Sequence, residues 1–490
     1  MATVNPKLFK KYDIRGTAMG KDAPLTPEVA RLIGQAFGTY LRNVEERRTV
    51  VVGRDNRHSS SALMDAAMHG LTQAGCFVVD IALTSTPIVY WNAVKRNNAG
   101  GMMVTGSHLA PDQNGFKLSV GARNIYGDGI QEILHLIQTE SFLRDTGEID
   151  CIESVEDYYS DIVPKLRVKT HPLKIVVDAG NGTGGIFAPK LLRTLGHNVI
   201  ELFCEPDWNY PNHQPDPQVP ANMRALGDKV REVGADLGIA FDGDADRMGA
   251  VDEQGSMIAA DRLLALLARD MLARHPGATV VGDVLSSQVL FDEVTKAGGT
   301  PIMWASGHSL VKAKMVETGA LLGGEMSGHI FLGEDYYGFD DAYVAAGRLL
   351  QVLATAKQPL SALNASIPTL YSTPEYRPHC PDDAKAKVID GVRAVLEGKG
   401  EIVAVGGIRV QFEHGWGILR ASNTEPVLSL RFEATTEVDA LRVPRSVRRG
   451  AASLPGSRSD SVAAHYFRVR ERHESHAAAH DSLTTSHHLR

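Results

Sequence analysis

The sequence predicts an α/β fold: three similar mixed α/β domains in series, followed by a smaller α+β C-terminal domain. Three observations carry this. Short β-branched runs that end in a polar turn recur at Val50-Val51-Val52-Gly53-Arg54-Asp55, Ile175-Val176-Val177-Asp178-Ala179-Gly180 and Val280-Val281-Gly282-Asp283. Stretches with helical periodicity lie between them. After about residue 366 the texture changes to closely spaced strands separated by glycine turns.

Taken in order, the continuous apolar runs suit parallel strands covered on both faces, where no side chain has to meet water. Helical periodicity is clear from Asp261 to His275: Leu263, Leu264, Leu267 and Met271 share one stripe, while Arg262, Arg269 and Asp270 stand away from it. Alternating strands and helices argue for α/β layers. A unit that returns three times argues for three related domains, with boundaries at residues 1–149, 150–255 and 256–365. In residues 366–441, Glu401-Ile402-Val403-Ala404-Val405 and Gly407-Ile408-Arg409-Val410-Gln411-Phe412 flank a Gly-Gly turn and predict a hairpin. Gly417-Ile418-Leu419-Arg420 and Val427-Leu428-Ser429-Leu430-Arg431-Phe432 add two strands to a small antiparallel sheet. Residues 442–490 hold nine Arg, no Lys, four acidic residues and six of the 18 His. Hydrophobic periodicity disappears there, which predicts a disordered basic tail.

Composition narrows the function classes. Hydrophobic residues make up 43% of the 490 and charged residues 22%, an ordinary globular balance. The net charge of -7 argues against nucleic acid as the main partner, which demands a basic face. Apolar runs fall short of the roughly 18 residues that a membrane span needs. Met1 to Lys11 has no apolar core of a signal peptide. Cys76, Cys151, Cys204 and Cys380 lie far apart without Cys-x-x-Cys spacing, which fits reduced thiols and a cytoplasmic protein.

Four stretches carry chemistry. Thr105-Gly106-Ser107-His108 follows the apolar run Gly101 to Val104, so it sits in a loop at a strand end, where open α/β sheets bind ligands. Ser107 is a candidate nucleophile or phosphoryl carrier there, with His108 beside it and Lys117 returning in Asn114-Gly115-Phe116-Lys117 to supply charge or a proton. The plainer reading of the same residues is a polar turn with a helix cap. In Phe241-Asp242-Gly243-Asp244-Ala245-Asp246-Arg247, three carboxylates alternate with other residues and can converge on a hard cation, Mg²⁺ or Ca²⁺. An EF-hand is disfavoured, because Arg247 stands where that loop needs glycine and Leu237 to Phe241 reads as a strand. A solvated acidic turn is the other alternative. A Mg²⁺ loop is preferred, because three carboxylates leave room for a phosphate oxygen, the arrangement used in phosphoryl transfer.

The third stretch, Gly324-Glu325-Met326-Ser327-Gly328-His329, places a carboxylate, a hydroxyl and an imidazole on one tight loop. It offers the paired acceptors and donors that a polyol needs, and His308 in Gly307-His308-Ser309 is a candidate to join it; an ordinary surface turn is the alternative. The fourth is Arg420-Ala421-Ser422-Asn423-Thr424-Glu425-Pro426. Arginine offers a bidentate fork for phosphate, and short polar side chains with successive backbone N–H groups form an anion nest. A turn between two strands is the plain alternative. A substrate with a sugar in the middle and a phosphate at one end would fill all four.

With these motifs in this order, the chain resembles the α-D-phosphohexomutases, and within them the bacterial bifunctional phosphomannomutase/phosphoglucomutases. The four stretches look like that family's phosphoserine, metal, sugar and phosphate loops. Tyr12-Asp13-Ile14-Arg15-Gly16 is similar to its N-terminal signature, and Asp178-Ala179-Gly180-Asn181-Gly182 to a shared strand-end turn. The resemblance covers about residues 8–440. It implies a heart-shaped molecule of four domains around a central cleft, working in the cytoplasm as a monomer. Ser107 would carry a phosphate, which binds Mg²⁺ together with Asp242, Asp244 and Asp246. The phosphoryl group would pass reversibly between C1 and C6 of mannose and glucose phosphates, through a hexose 1,6-bisphosphate that also serves as activator. His108, Lys117, Arg247 and His329 would share proton transfer and charge balance. Glu325 and Ser327 would bind the 3- and 4-hydroxyls, and Tyr12, Arg15, His308 and His329 would complete the substrate contacts. Arg420, Ser422, Asn423 and Thr424 would hold the phosphate that is not reacting. The resemblance also suggests a role in supplying nucleotide sugars for cell-surface polysaccharide.

Some positions depart from the family pattern. Leu109-Ala110 stands where many relatives have Asn-Pro, and Leu285 where some bifunctional relatives have a sugar-contacting lysine. The segment after Arg442 does not match the family's C-terminal end. Rival readings are a phosphoglucosamine mutase, a Mg²⁺-dependent sugar-phosphate phosphatase in which water takes the phosphate, and a non-catalytic sugar-phosphate binding protein.

Overall fold

A computed structural model describes residues 4–168, 171–373, 376–421, 426–436 and 438–440. It divides into two compact units: the first is Met1–Ser286 with Leu290–Ile367, and the second is Ser287–Val289 with the chain from Pro368 onward.

The first unit holds three mixed sheets that share one topology. Each begins with a central parallel strand: Thr49–Arg54, Lys174–Asp178 or Thr279–Asp283. These are the three Val/Ile-rich runs of the sequence. A second strand pairs with the central one on one side: Phe77–Leu83, Asn198–Leu202 or Thr300–Trp304. A third pairs in parallel on the other side: Gly100–Val104, Leu237–Phe241 or Leu322–Gly324. A fourth then pairs with the third, but antiparallel: Gln113–Val120, Met248–Asp252 or Ile330–Leu332. The reversal follows from the connection. Residues 105–112, 242–247 and 325–329 are too few for the crossover that a parallel neighbour requires, so the chain must turn back. The first sheet is widened by Ile14–Thr17 beyond its fourth strand and by Glu148–Cys151 beyond its second.

Burial explains the apolar runs. Val50, Val51, Val52, Ile175, Val176, Val177 and Val281 are fully buried between helical layers. Helix Pro27–Asn43 starts at Thr26, whose Oγ1 accepts the Val29 N–H, with Pro27 at the first position where its missing N–H costs nothing. It crosses helix Ser60–Gln73 at two glycines, Gly34 and Gly70, and a Cβ on either would overlap a carbonyl oxygen of the other helix. Helix Ala260–Arg274 buries the expected stripe and also Ala265, Leu266 and Ala268, a broader face than the periodicity indicated, because it packs among several elements. Asp341 caps helix Ala342–Ala356: its Oδ1 accepts the Tyr343 and Val344 N–H groups at 3.0 Å, and its Oδ2 accepts the hydroxyls of Tyr158 and Tyr336. Burial pushes that carboxyl up to about 6.

The second unit is an antiparallel sheet in the order Tyr371–Ser372, Leu428–Ala434, Gly415–Ala421, Ile408–Phe412, Glu401–Val403, with helix Asp382–Leu396 packed through Val392 and Leu396. The expected hairpin is present, and the expected strand 417–420 extends to 415–421. Trp416 is fully buried; its indole N–H donates to Glu433 and its ring lies 3.7 Å from the Arg409 guanidinium. All four cysteines are free thiols; Cys151 is exposed and the other three are buried. Among the described residues, no helix is long and apolar enough to cross a membrane. The expected tail, 442–490, lies outside the described residues.

Candidate active site

Three of the four functional stretches occupy the same place in the shared topology. Each is the turn between the third, parallel strand and the fourth, antiparallel one. The sequence shows three unrelated motifs; the fold makes them equivalent turns at the carboxyl ends of parallel strands, and brings them together within the first unit.

Ser107 sits in the first turn with a left-handed backbone, φ 49°, and is 1% exposed. A non-glycine residue there costs on the order of 1–3 kcal/mol, a strain that surrounding contacts must hold. Its Oγ donates to Asp242 Oδ2 at 2.7 Å, and His108 Nδ1 lies 3.2 Å from the same oxygen. Gly243 of the second turn abuts the Ser107 carbonyl, where a Cβ would overlap. Asp242, Asp244 and Asp246 are fully buried and each offers a carboxylate oxygen within 4.8 Å of the others. Lys117, on the fourth strand of the first sheet, pairs with Asp244 at 2.6 Å and with Asp246. Burial opposes its charge, but these carboxylates, with Asp242, hold its pKa above the ordinary lysine value. Asp242 goes the other way: burial, with its two acidic neighbours, pushes its carboxyl well above the usual range. Burial would raise Asp244 too, but Lys117 holds it below the usual range. Lys117 and the Arg247 guanidinium are the cations that oppose these carboxylates. Among the described residues, Asp244 Oδ1 and Asp246 Oδ1 are buried without a hydrogen-bond partner. An all-oxygen donor set with orphaned lone pairs fits a hard divalent cation.

The third turn carries Glu325, Ser327 and His329. Glu325 is buried and its Oε1 accepts the Gly307 N–H, while Ser327 Oγ lies 3.5 Å from its other oxygen. Gly328, φ 90°, permits the tight turn. Burial, reinforced by Asp283, pushes the Glu325 carboxyl up to about 7. Arg247, at the end of the second turn, donates from Nε to His329 Nε2 at 3.1 Å, and the two residues form a backbone bridge. Because a guanidinium only donates, His329 carries its proton on Nδ1, which faces Asp340 Oδ2 at 3.1 Å. That proton argues against a metal on the cluster of Asp246, His329 and Asp340, although their ligand atoms lie close enough to share one. His308, at the start of helix His308–Thr318, stacks on His329 with ring centres 5.3 Å apart. Burial lowers its pKa to about 4. Tyr12 approaches the same helix end: its hydroxyl donates to the Ser306 carbonyl, and its ring meets His308 edge-on. Arg15 pairs with Asp13. Burial, with Arg247, Arg15 and Lys117 nearby, keeps His108 well below the ordinary imidazole value.

In the second unit, Arg420 lies one residue before the end of strand Gly415–Ala421, and its Nε is buried without a hydrogen-bond partner among the described residues. Ser422, Asn423 and Thr424 lie outside the described residues. Sequence reasoning missed several supporting residues. Thr86, at the start of helix Thr86–Lys95, donates to Asp244 Oδ2 at 2.5 Å, and its N–H bonds the Asp244 carbonyl. Asp340 accepts from Lys312 at 2.6 Å and faces both histidines. Burial opposes its charge, yet Lys312 holds its carboxyl well below the usual range. Asp340-Asp341, an acidic pair before an apolar helix, was the available signal; Thr86 had none.

Comparison with known proteins matches this geometry to a family. The chain matches phosphoglucomutase/phosphomannomutase alpha/beta/alpha domain I at residues 6–144, domain II at 156–255, domain III at 259–371 and the C-terminal domain at 375–449. It is 42% identical to a phosphomannomutase/phosphoglucomutase of Pseudomonas putida, over 90% of this chain and 95% of the relative. It is 41% identical to a phosphoglucomutase of Neisseria meningitidis, over 93% and 99%. A crystal structure of a phosphoglucomutase/phosphomannomutase family protein from Burkholderia thailandensis superposes with a TM-score of 0.87 at 41% identity, covering 93% of this chain and 99% of that one. An N-acetylphosphoglucosamine mutase of Aspergillus fumigatus, solved with GlcNAc-6P and magnesium, shares the fold at 15% identity, covering 74% and 93% with a TM-score of 0.53. Four consecutive domain matches, and relatives this similar over nearly their whole length, show that the chain belongs to the phosphoglucomutase/phosphomannomutase family.

Proposed function

We propose that the protein moves a phosphoryl group reversibly between O1 and O6 of glucose and mannose phosphates, with Ser107 as the carrier and a hexose 1,6-bisphosphate as the intermediate. The observation that carries the reading is Ser107 Oγ at 2.7 Å from Asp242, inside a buried set of three carboxylates and one lysine. In the first half, O6 of a hexose 1-phosphate attacks the phosphorus on Ser107. The P–O6 bond forms as the P–Oγ bond breaks, and the 6-hydroxyl proton leaves to a base. In the second half Oγ attacks the phosphorus on O1, O1 departs with a proton, and hexose 6-phosphate remains. Mg²⁺ held by Asp242, Asp244, Asp246 and an oxygen of the serine phosphate would neutralise charge on the transferring group. Lys117, kept protonated, suits stabilising and protonating Oγ as its bond to phosphorus breaks. His108, kept neutral by burial, suits proton acceptance beside it. Arg247 balances charge on the sugar side, and His329, which accepts from it, suits proton transfer there.

Glu325 and Ser327 would read the 3- and 4-hydroxyls. A site that reads these and not C2 accepts both glucose and mannose, since discrimination needs a contact that differs between competitors. Tyr12, Arg15, His308 and His329 would complete the sugar contacts, and Arg420, Ser422, Asn423 and Thr424 the cradle for the second phosphate. The test is a coupled assay with Mg²⁺ and a trace of glucose 1,6-bisphosphate. Both 1-phosphates should become 6-phosphates, and Ser107→Ala should lose turnover by about a thousandfold or more while still binding substrate. Inorganic phosphate released as fast as substrate disappears would instead make the protein a phosphatase. Full activity without Ser107 would move the carrier elsewhere.

A further inference from the structure

The strand end Asp55, with Arg57 two residues later, takes no part in the chemistry above, yet both side chains are buried, at 0% and 2% exposure. They lie in the turn between strand Thr49–Arg54 and helix Ser60–Gln73. The Arg57 guanidinium reaches across to the loop that bears Ser107 and collects its carbonyl groups. Nη1 donates to the oxygens of Ala110 at 2.5 Å and Gln113 at 2.9 Å; Nη2 donates to those of Ser107 at 2.8 Å and Leu109 at 2.7 Å. Asp55 secures the loop's entry. Its Oδ2 accepts the Gly106 N–H at 3.1 Å and lies 3.2 Å from Arg57 Nε, and its Oδ1 accepts the Arg57 N–H and the Ser60 hydroxyl. Gly106 is glycine for this reason: a Cβ there would lie 2.5 Å from Arg57 Cζ.

We propose that Arg57 is the positioning residue for the phosphoryl carrier. By gathering four carbonyls on one planar fork, it holds Ser107 in the left-handed backbone that aims Oγ at Asp242. The inference rests on the reading of Ser107 as carrier. A guanidinium presents five donors in fixed directions, whereas a lysine ammonium is a compact point charge that cannot meet four acceptors spread around it. Without the fork, four loop carbonyls lose their guanidinium donor, and that of Ser107 is buried. Ser107 then relaxes toward the right-handed region that L-residues prefer, and Oγ swings away from Asp242. Such a displacement lowers the transfer rate and leaves substrate affinity nearly unchanged, because Arg57 touches the carrier's backbone and not the sugar loop.

The experiment uses the full chain with Mg²⁺, as Arg57→Lys and Arg57→Ala. Both should lose about a hundredfold or more in kcat, with KM for glucose 1-phosphate within about threefold. Millimolar guanidinium should restore about tenfold of the rate to Arg57→Ala, but not to Arg57→Lys or to Ser107→Ala. Amide hydrogen exchange should rise at residues 106–113 and stay at wild-type rates elsewhere. A kcat within threefold of wild type, or unchanged exchange at 106–113, overturns the proposal. So does loss of protection throughout the chain without guanidinium rescue. A wild-type protein that never carries phosphate on Ser107 overturns the carrier reading instead, and the exchange of residues 106–113 still judges the clasp.

Discussion

At the scale of single residues, the site works by giving chemically identical groups different charges. Asp242 and Asp244 are two residues apart and equally buried, yet one is pushed up and the other held down, because Lys117 sits against Asp244 and not against Asp242. Asp242 is thereby suited to exchange its proton for a cation. Glu325, proposed to read sugar hydroxyls, shows the same logic. Its carboxyl, raised to about 7 by burial, accepts from hydroxyls through both oxygens only when ionised. As pH falls through about 7 it gains a proton, so KM for glucose 1-phosphate should rise on the acid side. Glu325→Gln should show a KM about tenfold higher above that pH, with this dependence gone. The check is KM against pH for both proteins, and an unchanged profile in the variant would remove Glu325 from the sugar site.

At the scale of elements, one topological position, filled by connections of different length, presents three different motifs. The third strand of each sheet is parallel and buried, the fourth runs back beside it, and the turn between them stands at the carboxyl edge. Varying that turn changes chemistry without disturbing the layers, because the strands hold their places through backbone pairing and buried apolar side chains. The layers themselves depend on close approach. Gly34→Ala should destabilise the first unit by about 2 kcal/mol, since its Cβ would press on the Ala67 carbonyl where two helices cross. Gly70→Ala presses on Arg31 from the other side and should behave alike. Denaturant midpoints of the two variants test this; midpoints equal to wild type would mean that the helices separate freely.

At the scale of the whole molecule, the proposed Mg²⁺ site would tie stability to a cation. Asp244 and Asp246 repel charge on Asp242, and a divalent ion that binds only the folded chain relieves this. At a hundred times its dissociation constant, Mg²⁺ should add about 2.7 kcal/mol to stability. Thermal unfolding with Mg²⁺ and with a chelator would show the difference, and Asp244→Asn should abolish most of it. An equal midpoint in both conditions would mean that the carboxylates bind no ion.

The sequence by itself determined the domain type, the central strands and which polar residues stand at the strand ends. Val-rich runs are legible because burial on both faces demands them, and Asp242, Asp244, Asp246 and Ser107 are legible because their chemistry depends on local spacing. It also marked the small antiparallel sheet, through glycine turns between β-branched runs. Only the tertiary structure decided what those groups do to one another. That Lys117 meets Asp244 across 127 positions, that Thr86 donates to the same carboxylate, and that Arg57 grips the Ser107 loop are consequences of which strands lie side by side. Such contacts join segments with no shared periodicity. A pattern in the chain encodes what each segment must bury, whereas the direction of a charge or a hydrogen bond is fixed when the sheets meet.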